Sequence, residues 1–270
     1  MSIDLSSFKD GQRRVWSAGD YPDMATHIEE VAVAVVDRAA PSSGERLLDV
    51  ATGTGNVALP AATSGALVTG LDLTPRLLAV AAERARGAGL DVTWVEGDAE
   101  ELPFDDDSFD VATSCLGVMY APRHERAAAE LTRVTRSGGR IVVAAWTPGG
   151  LVGEMLTATA AYVPPPPPGL GTPETWGQEE HVRSLFAGGG AELEFERRTV
   201  TFRADSAEAW MEYNERVLGP AIAAKQALEP QGRWDDLRRD WLGLFERANE
   251  AGDGSFAAPS EYLISAAWLP

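Results

Sequence analysis

The chain has 270 residues and carries 41 acidic against 23 basic side chains, a net charge of −18 that works against phosphate backbones and anionic lipid surfaces as partners. A single cysteine, Cys115, excludes an internal disulfide, and His27, His124 and His181 are too widely spaced to assemble a zinc pattern, so no metal is expected. No stretch reaches about 18 apolar residues and the start, MSIDLSSFKDGQRRVW, lacks the apolar run of a signal peptide, so a soluble cytoplasmic protein is expected.

After that polar start, Met24, Ile28, Val31 and Val35 recur at helical spacing and Pro41 closes the run, which predicts an amphipathic helix. From residue 46 onward short apolar runs alternate with helix-like stretches. RLLDVA, LVTGLDL, VTWVEGD, FDVATSCL and RIVVAAW read as strands; NVALPAATSG, PRLLAVAAERARGAG and RHERAAAELTRVTRSGG read as helices. Alternation with continuously apolar strands predicts an α/β fold, a parallel sheet covered on both faces. The length suits one large domain, or one domain with an insertion.

The alternation stops at Trp146. LVGEMLTATAAY predicts a helix, and the five prolines 164–168 favour an extended segment without backbone donors, expected to act as a lid. TWGQEEHVRSLF reads as a short helix capped by Thr175, and AELEFERRTVTFRA as a strand entered from a glycine turn at 188–190. Helices near 206–228 and 232–250 precede a last strand, EYLISAAWL. The expected division is an N-terminal arm and core over 1–146, substrate-side lid and helices over 147–252 interrupted by a core strand near 191–203, and a last core strand within 253–270.

In an open parallel sheet, ligands bind beyond the carboxyl ends of the strands, so the turns there carry the chemistry. In LLDVATGTGNV, Gly53 and Gly55 allow a close backbone approach. Asp49, four residues before Gly53, would repel a pyrophosphate by a few kcal/mol at about 4 Å and an effective dielectric near 20, whereas a cationic amino-acid tail would gain from it. Asp72 ends the second strand and suits a bidentate hydrogen bond to ribose hydroxyls. Asp98 can accept from an exocyclic adenine amine while the amide of Ala99 serves a ring nitrogen. Asp105, Asp106 and Asp107 read as a solvated turn.

LLDVATGTGNVALPAA, VTGLDLTPRLLAVAAERA, VEGDAEELPFDDDSFDVA and ELTRVTRSGGRIVV, in this order over about residues 45–145, resemble the successive motifs of class I S-adenosylmethionine-dependent methyltransferases of the small-molecule type. The resemblance implies a Rossmann-like, doubly wound seven-stranded sheet whose last strand runs antiparallel, with ELEFERRTVTF beside it. It also implies S-adenosylmethionine as cofactor. Asp49, Ala51 and Gly53 would face the methionine portion, Asp72 the ribose, Asp98 and Ala99 the adenine, and Leu73 and Ser114 join these cofactor-binding candidates. Ala51 departs from the glycine usual there, so that position must tolerate a methyl group. Several small-molecule members carry a histidine or similar polar group after the fourth strand; here Val118 and Met119 stand near that place and cannot act as bases.

VWSAGDYPDM is similar to the segment that folds over the cofactor in many of these enzymes, and Trp16 and Tyr21 would cover the sulfonium with aromatic faces. Methyl transfer is an in-line displacement, which alignment alone largely serves. Tyr162, Trp176 and Tyr213 are candidate walls for a small organic acceptor, a metabolite or natural-product intermediate, and His181, after the lid, is the candidate base. His124, among RHERAAAE, reads as part of a solvated helix start. The alternatives are a protein of this fold that uses the cofactor structurally to catalyse a rearrangement, and a nicotinamide oxidoreductase, which Asp49 disfavours. The sequence leaves the oligomeric state open.

Overall fold

The computed structural model describes residues 5–165 and 167–270; the first four residues of the polar start, and Pro166 of the proline run, lie outside the described residues. In chain order the elements are α1 (Leu5–Ser17), α2 (Tyr21–Thr26), α3 (Glu29–Ala39), β1 (Arg46–Val50), α4 (Ala58–Thr63), β2 (Leu67–Asp72) and α5 (Pro75–Ala88). Next come β3 (Val92–Glu96), β4 (Phe109–Cys115), α6 (His124–Val134), β5 (Thr135–Trp146), α7 (Leu151–Ala160) and α8 (Glu179–Phe186). The last are β6 (Glu192–Ala204), α9 (Ala207–Val217), α10 (Gly219–Leu228), α11 (Trp234–Ala248) and β7 (Phe256–Trp268).

The strands form one seven-stranded sheet in the order β3-β2-β1-β4-β5-β7-β6. β1 pairs parallel with β2 and β4, and the winding reverses between β1 and β4, which opens a crevice at their carboxyl ends. Leu47, Leu48, Val50, Val111, Ala112 and Ile141 through Ala145 are buried, as strands covered on both faces require. β7 runs antiparallel between β5 and β6 and pairs with β6 over its whole length, from Glu192 opposite Trp268 to Ala204 opposite Phe256. The edge strand β6 is half exposed over its first part, with Glu192, Glu194, Glu196 and Arg197 breaking its apolar face. Charges on an edge oppose pairing with another chain.

Several elements differ from the sequence reading. The polar start forms α1, and the predicted helix after it divides at His27 and Ile28 into α2 and α3. The residues Arg136 to Gly139 extend β5 and do not continue α6. The helix expected near 206–228 breaks at Leu218, whose backbone is extended (φ −86°, ψ 111°), and restarts at Gly219-Pro220, where proline lacks the donor a continuing helix needs. α8 starts from Gln178 and not from Thr175, which lies in a single tight turn, Pro173–Gly177, and gives its hydroxyl to Thr172 O at 2.7 Å.

Helices α7, α9, α10 and α11 pack on one another and on β6 and β7, above the carboxyl end of the sheet, and α1 lies across α10. Gly219 makes that crossing possible: a Cβ there would come within 2.0 Å of Val15 O. Crevice and helical cap thus face each other, with α1 and α2 between them.

Candidate functional site

Beyond Val50 the chain turns through Ala51 and Gly53, both with φ of 55°. A non-glycine residue there costs about 1 to 2 kcal/mol. The methyl of Ala51 is accommodated because residue 117 is glycine; a Cβ on Gly117 would lie 2.6 Å from it. Asp49 is buried beneath this turn, accepting from Thr52 Oγ1 at 2.5 Å and Thr113 Oγ1 at 2.9 Å. Burial pushes its carboxyl up to about 7, although those hydroxyls pull the other way.

Asp72 joins the ends of β1 and β2: Oδ2 accepts from the amide of Gly53 at 2.8 Å and Oδ1 from that of Thr74 at 2.8 Å. A carboxylate has about four lone-pair positions, so both oxygens can still take a hydroxyl. Beyond β3, Asp98 accepts from the amide of Glu100 at 2.9 Å and is ion-paired with Lys9 of α1. Glu100 is fully buried and neutralised by Lys9 at 2.7 Å and Arg123 at 2.9 Å. The first helix is therefore tied by charge to the third acid.

These groups line a crevice enclosing about 700 Å³, walled by Gln12, Trp16, Tyr21, Asp72, Asp98 and Tyr120 among others. A smaller recess of about 340 Å³ continues it to Asp49, Thr54 and Asn56. A third space of about 870 Å³, partly open to solvent, extends under the helical cap between Met24, Trp146, Met155, Phe202, Trp210, Asn214 and Trp241. Among the described residues, no charged one lines it. Trp16, Tyr21, Leu116 and Tyr120 border both this cavity and the crevice. The Trp16 ring stands edge-on to Tyr21 at 5.5 Å and to Tyr120 at 4.8 Å, which makes an aromatic rim between the two spaces. Burial raises the phenols of Tyr21 and Tyr120 and the thiol of Cys115 far above neutral, so all three keep their protons at pH 7.

Trp16, Tyr21, Ala51, Gly53, Asp72, Leu73, Asp98 and Ala99 line the crevice, and Asp49 lines its recess. Ser114 does not: it is buried, donating to Val50 O at 2.7 Å and accepting from Val118 N at 2.9 Å, and the next three residues reach the crevice instead. His181 and Trp176 line neither crevice nor cavity. His181 Nε2 lies 2.9 Å from His124 Nδ1, and Trp176 packs on His124 at 5.7 Å. His124 is buried and not solvated, because the segment after the prolines folds back over it: Gly171 N donates to Pro122 O at 2.8 Å, and a Cβ on Gly171 would fall 2.3 Å from the imidazole. Burial lowers both histidines, His124 to about 4, so the pair is neutral at pH 7.

Tyr162 donates to Asp240 at 2.5 Å and, with Val163 and Pro164, lines an outward hollow apart from the cavity. None of the described residues of the proline segment lines crevice or cavity, whereas α1 and α2 border both. Tyr213 stacks on Trp210 at 5.2 Å, one layer behind the cavity wall. Val118 and Met119 are buried beside the fourth strand's end.

Reading from sequence missed Lys9, Gln12, Glu100, Cys115, Gly117 and Asn214. For α1 a signal existed: Lys9, Gln12 and Trp16 are spaced three and four apart, one face of a helix, and Gln12 Nε2 donates to Tyr120 O at 2.5 Å. For Glu100, amid four acids, none did.

The fold and crevice together define a Rossmann-like enzyme for an adenosyl cofactor. A family model described as a methyltransferase domain matches residues 48–143. An uncharacterized protein of Mycobacterium tuberculosis is 40% identical over 218 residues, covering 80% of each chain. The demethylmenaquinone methyltransferase of Thermus thermophilus is 43% identical over 115 residues, 42% of this chain and 52% of that one. The structure of a Bacillus halodurans C-125 protein, 23% identical, superimposes with a TM-score of 0.63 over 88% of this chain and 98% of its own. The chain belongs to the class I S-adenosylmethionine-dependent methyltransferases, with S-adenosylmethionine as its cofactor. Among the described residues, no helix is long and apolar enough to cross a membrane.

Proposed function

We propose that this methyltransferase acts on a small, uncharged, largely apolar organic molecule held beneath the helical cap. The observation that carries the reading is the shared rim. Trp16, Tyr21, Leu116 and Tyr120 border an acid-lined crevice on one side and a cavity without charged lining on the other. An ammonium or carboxylate acceptor entering that cavity would lose its hydration without a counter-charge. A neutral one gains apolar burial.

The residues fit the cofactor. Asp72 offers both oxygens to ribose hydroxyls, Asp98 and the Ala99 amide receive adenine, and the recess at Ala51 and Gly53 admits the amino-acid tail toward Asp49. Lys9 is ion-paired with Asp98, so an adenine amine would share that carboxylate with α1. When bound, the cofactor supplies an electrophilic methyl group on a sulfonium. Trp16 and Tyr21, which border the crevice, would favour that positive charge with their aromatic rings.

The acceptor would supply the electron pair for the new bond to carbon, and its proton would leave through the open side of the cavity. Tyr21, Tyr120 and Cys115 hold their own protons too firmly to take it. Catalysis is then positional, with the acceptor supplying its own nucleophilicity, as an electron-rich carbon does. His181 stands outside this path. We assign residues 147–252, apart from β6, to the substrate side.

The test is a mass-spectrometric screen of small acceptors for the gain of one methyl group, with demethylated cofactor quantified in parallel. Neutral hydroxylated ring compounds are expected to react. Conversion of an acceptor without any demethylated cofactor would instead mark a rearrangement catalyst that keeps the cofactor intact.

A further inference from the structure

Among the groups lining the apolar cavity, Asn214 of α9 has an unusual position. It is 2% exposed, and its Nδ2 donates to Trp210 O at 2.7 Å. That bond fixes the amide: turned over, Oδ1 would face the Trp210 carbonyl, acceptor against acceptor. The remaining atom, Oδ1, has no hydrogen-bond partner among the described residues, and Asn214 lines the cavity. Thr159, also on the wall, gives its hydroxyl proton to Met155 O at 2.7 Å. Oδ1 is open to the cavity and not sealed from solvent, so a ligand that displaces water there must bring Oδ1 a donor of its own or leave it unpaired at a cost.

We infer that Asn214 selects the acceptor by its hydroxyl: the substrate is a neutral ring compound that presents an O–H to Asn214 Oδ1 and thereby aligns its nucleophilic atom with the aromatic rim. This rests on the proposed neutral acceptor. Oδ1 only accepts, so a ketone or methyl ether at the same place would set two lone-pair oxygens against each other. A hydroxyl is recognised there, and an O-methylated analogue is not.

The experiment titrates 1-naphthol and 1-methoxynaphthalene, separately, into the protein saturated with S-adenosylhomocysteine, by calorimetry. The ether is the more apolar probe, so burial alone favours it. The expected result is a preference for naphthol of roughly ten- to hundredfold, the range for a buried group left unpaired. In Asn214→Leu the preference should vanish, through weaker naphthol binding with ether binding retained. Asn214→Ala serves the same purpose should the larger side chain perturb folding. Equal affinities in the unmodified protein, or a preference that survives both substitutions, would overturn the role of Asn214 and leave the neutral-acceptor reading standing. Binding of neither probe would overturn both.

Discussion

The crevice and the cavity meet at Trp16, Tyr21, Leu116 and Tyr120, yet they are built in opposite ways. The crevice is made largely of consecutive residues at three strand ends, with buried or paired carboxylates at Asp49, Asp72 and Asp98. The cavity is lined by mostly apolar residues from six helices distant in sequence, α1, α2, α7, α9, α10 and α11, and from strand positions such as Trp146 and Phe202. Fixed charges in short turns give the first region its ligand, whereas the second selects by shape and by a single amide. A charge should therefore be ruinous in one and its removal ruinous in the other.

Placing a carboxylate on the cavity wall tests the contrast most strongly. Leu156→Glu, on the partly exposed face of α7, should cut turnover on the order of a hundredfold, because an unpaired charge next to a neutral acceptor is poorly solvated. Calorimetry should find S-adenosylhomocysteine affinity unchanged. The converse change, Asp72→Ala, should weaken that affinity by about 1 to 3 kcal/mol, since ribose hydroxyls lose a charged acceptor. Unchanged affinity would move the ribose elsewhere.

Asp49 sharpens the comparison through pH. Its folded-state pKa is raised from 3.8 to about 7 by burial, so between those values the folded protein binds a proton that the unfolded chain has released. Stability of the cofactor-free protein should fall as pH rises through that window and level off above it. Cofactor affinity should move the other way, rising as the carboxylate ionises and attracts the ammonium. Asp49→Asn should flatten the Asp49 contribution to both profiles, which thermal melting and calorimetry across pH would read; an affinity that stays flat in the unmodified protein would separate Asp49 from the cofactor's tail. The smallest effect belongs to His181→Ala, outside both regions. Turnover should change less than about tenfold, and a loss above about a hundredfold with the fold intact would restore a histidine base.

The same contrast decides what could be read from sequence. Asp49, Ala51, Gly53, Asp72, Asp98 and Ala99 lie in contiguous turns whose order along the chain mirrors their order in space, because strand ends of a parallel sheet align. The antiparallel β7 beside β6 followed only from the family resemblance, because β6 is charged over its first part and three helices separate it from β7 in the chain. Trp176, His181, Tyr162 and Tyr213 stand out in the sequence by size or chemistry, but which face of a helix meets a cavity depends on packing between helices distant in sequence. Asn214 sits between Tyr213 and Glu215 with nothing local to mark it, and only the bond to Trp210 gives its free oxygen meaning.

On the proposed function, the methyl group passes across the aromatic rim into an uncharged acceptor. The direct test supplies cofactor labelled in its methyl group together with two defined mixtures, one of neutral hydroxylated aromatic compounds and one of amines and carboxylates of matching size. Label should accumulate in the neutral mixture, in product extractable into organic solvent. Label appearing only in the charged mixture would contradict the account.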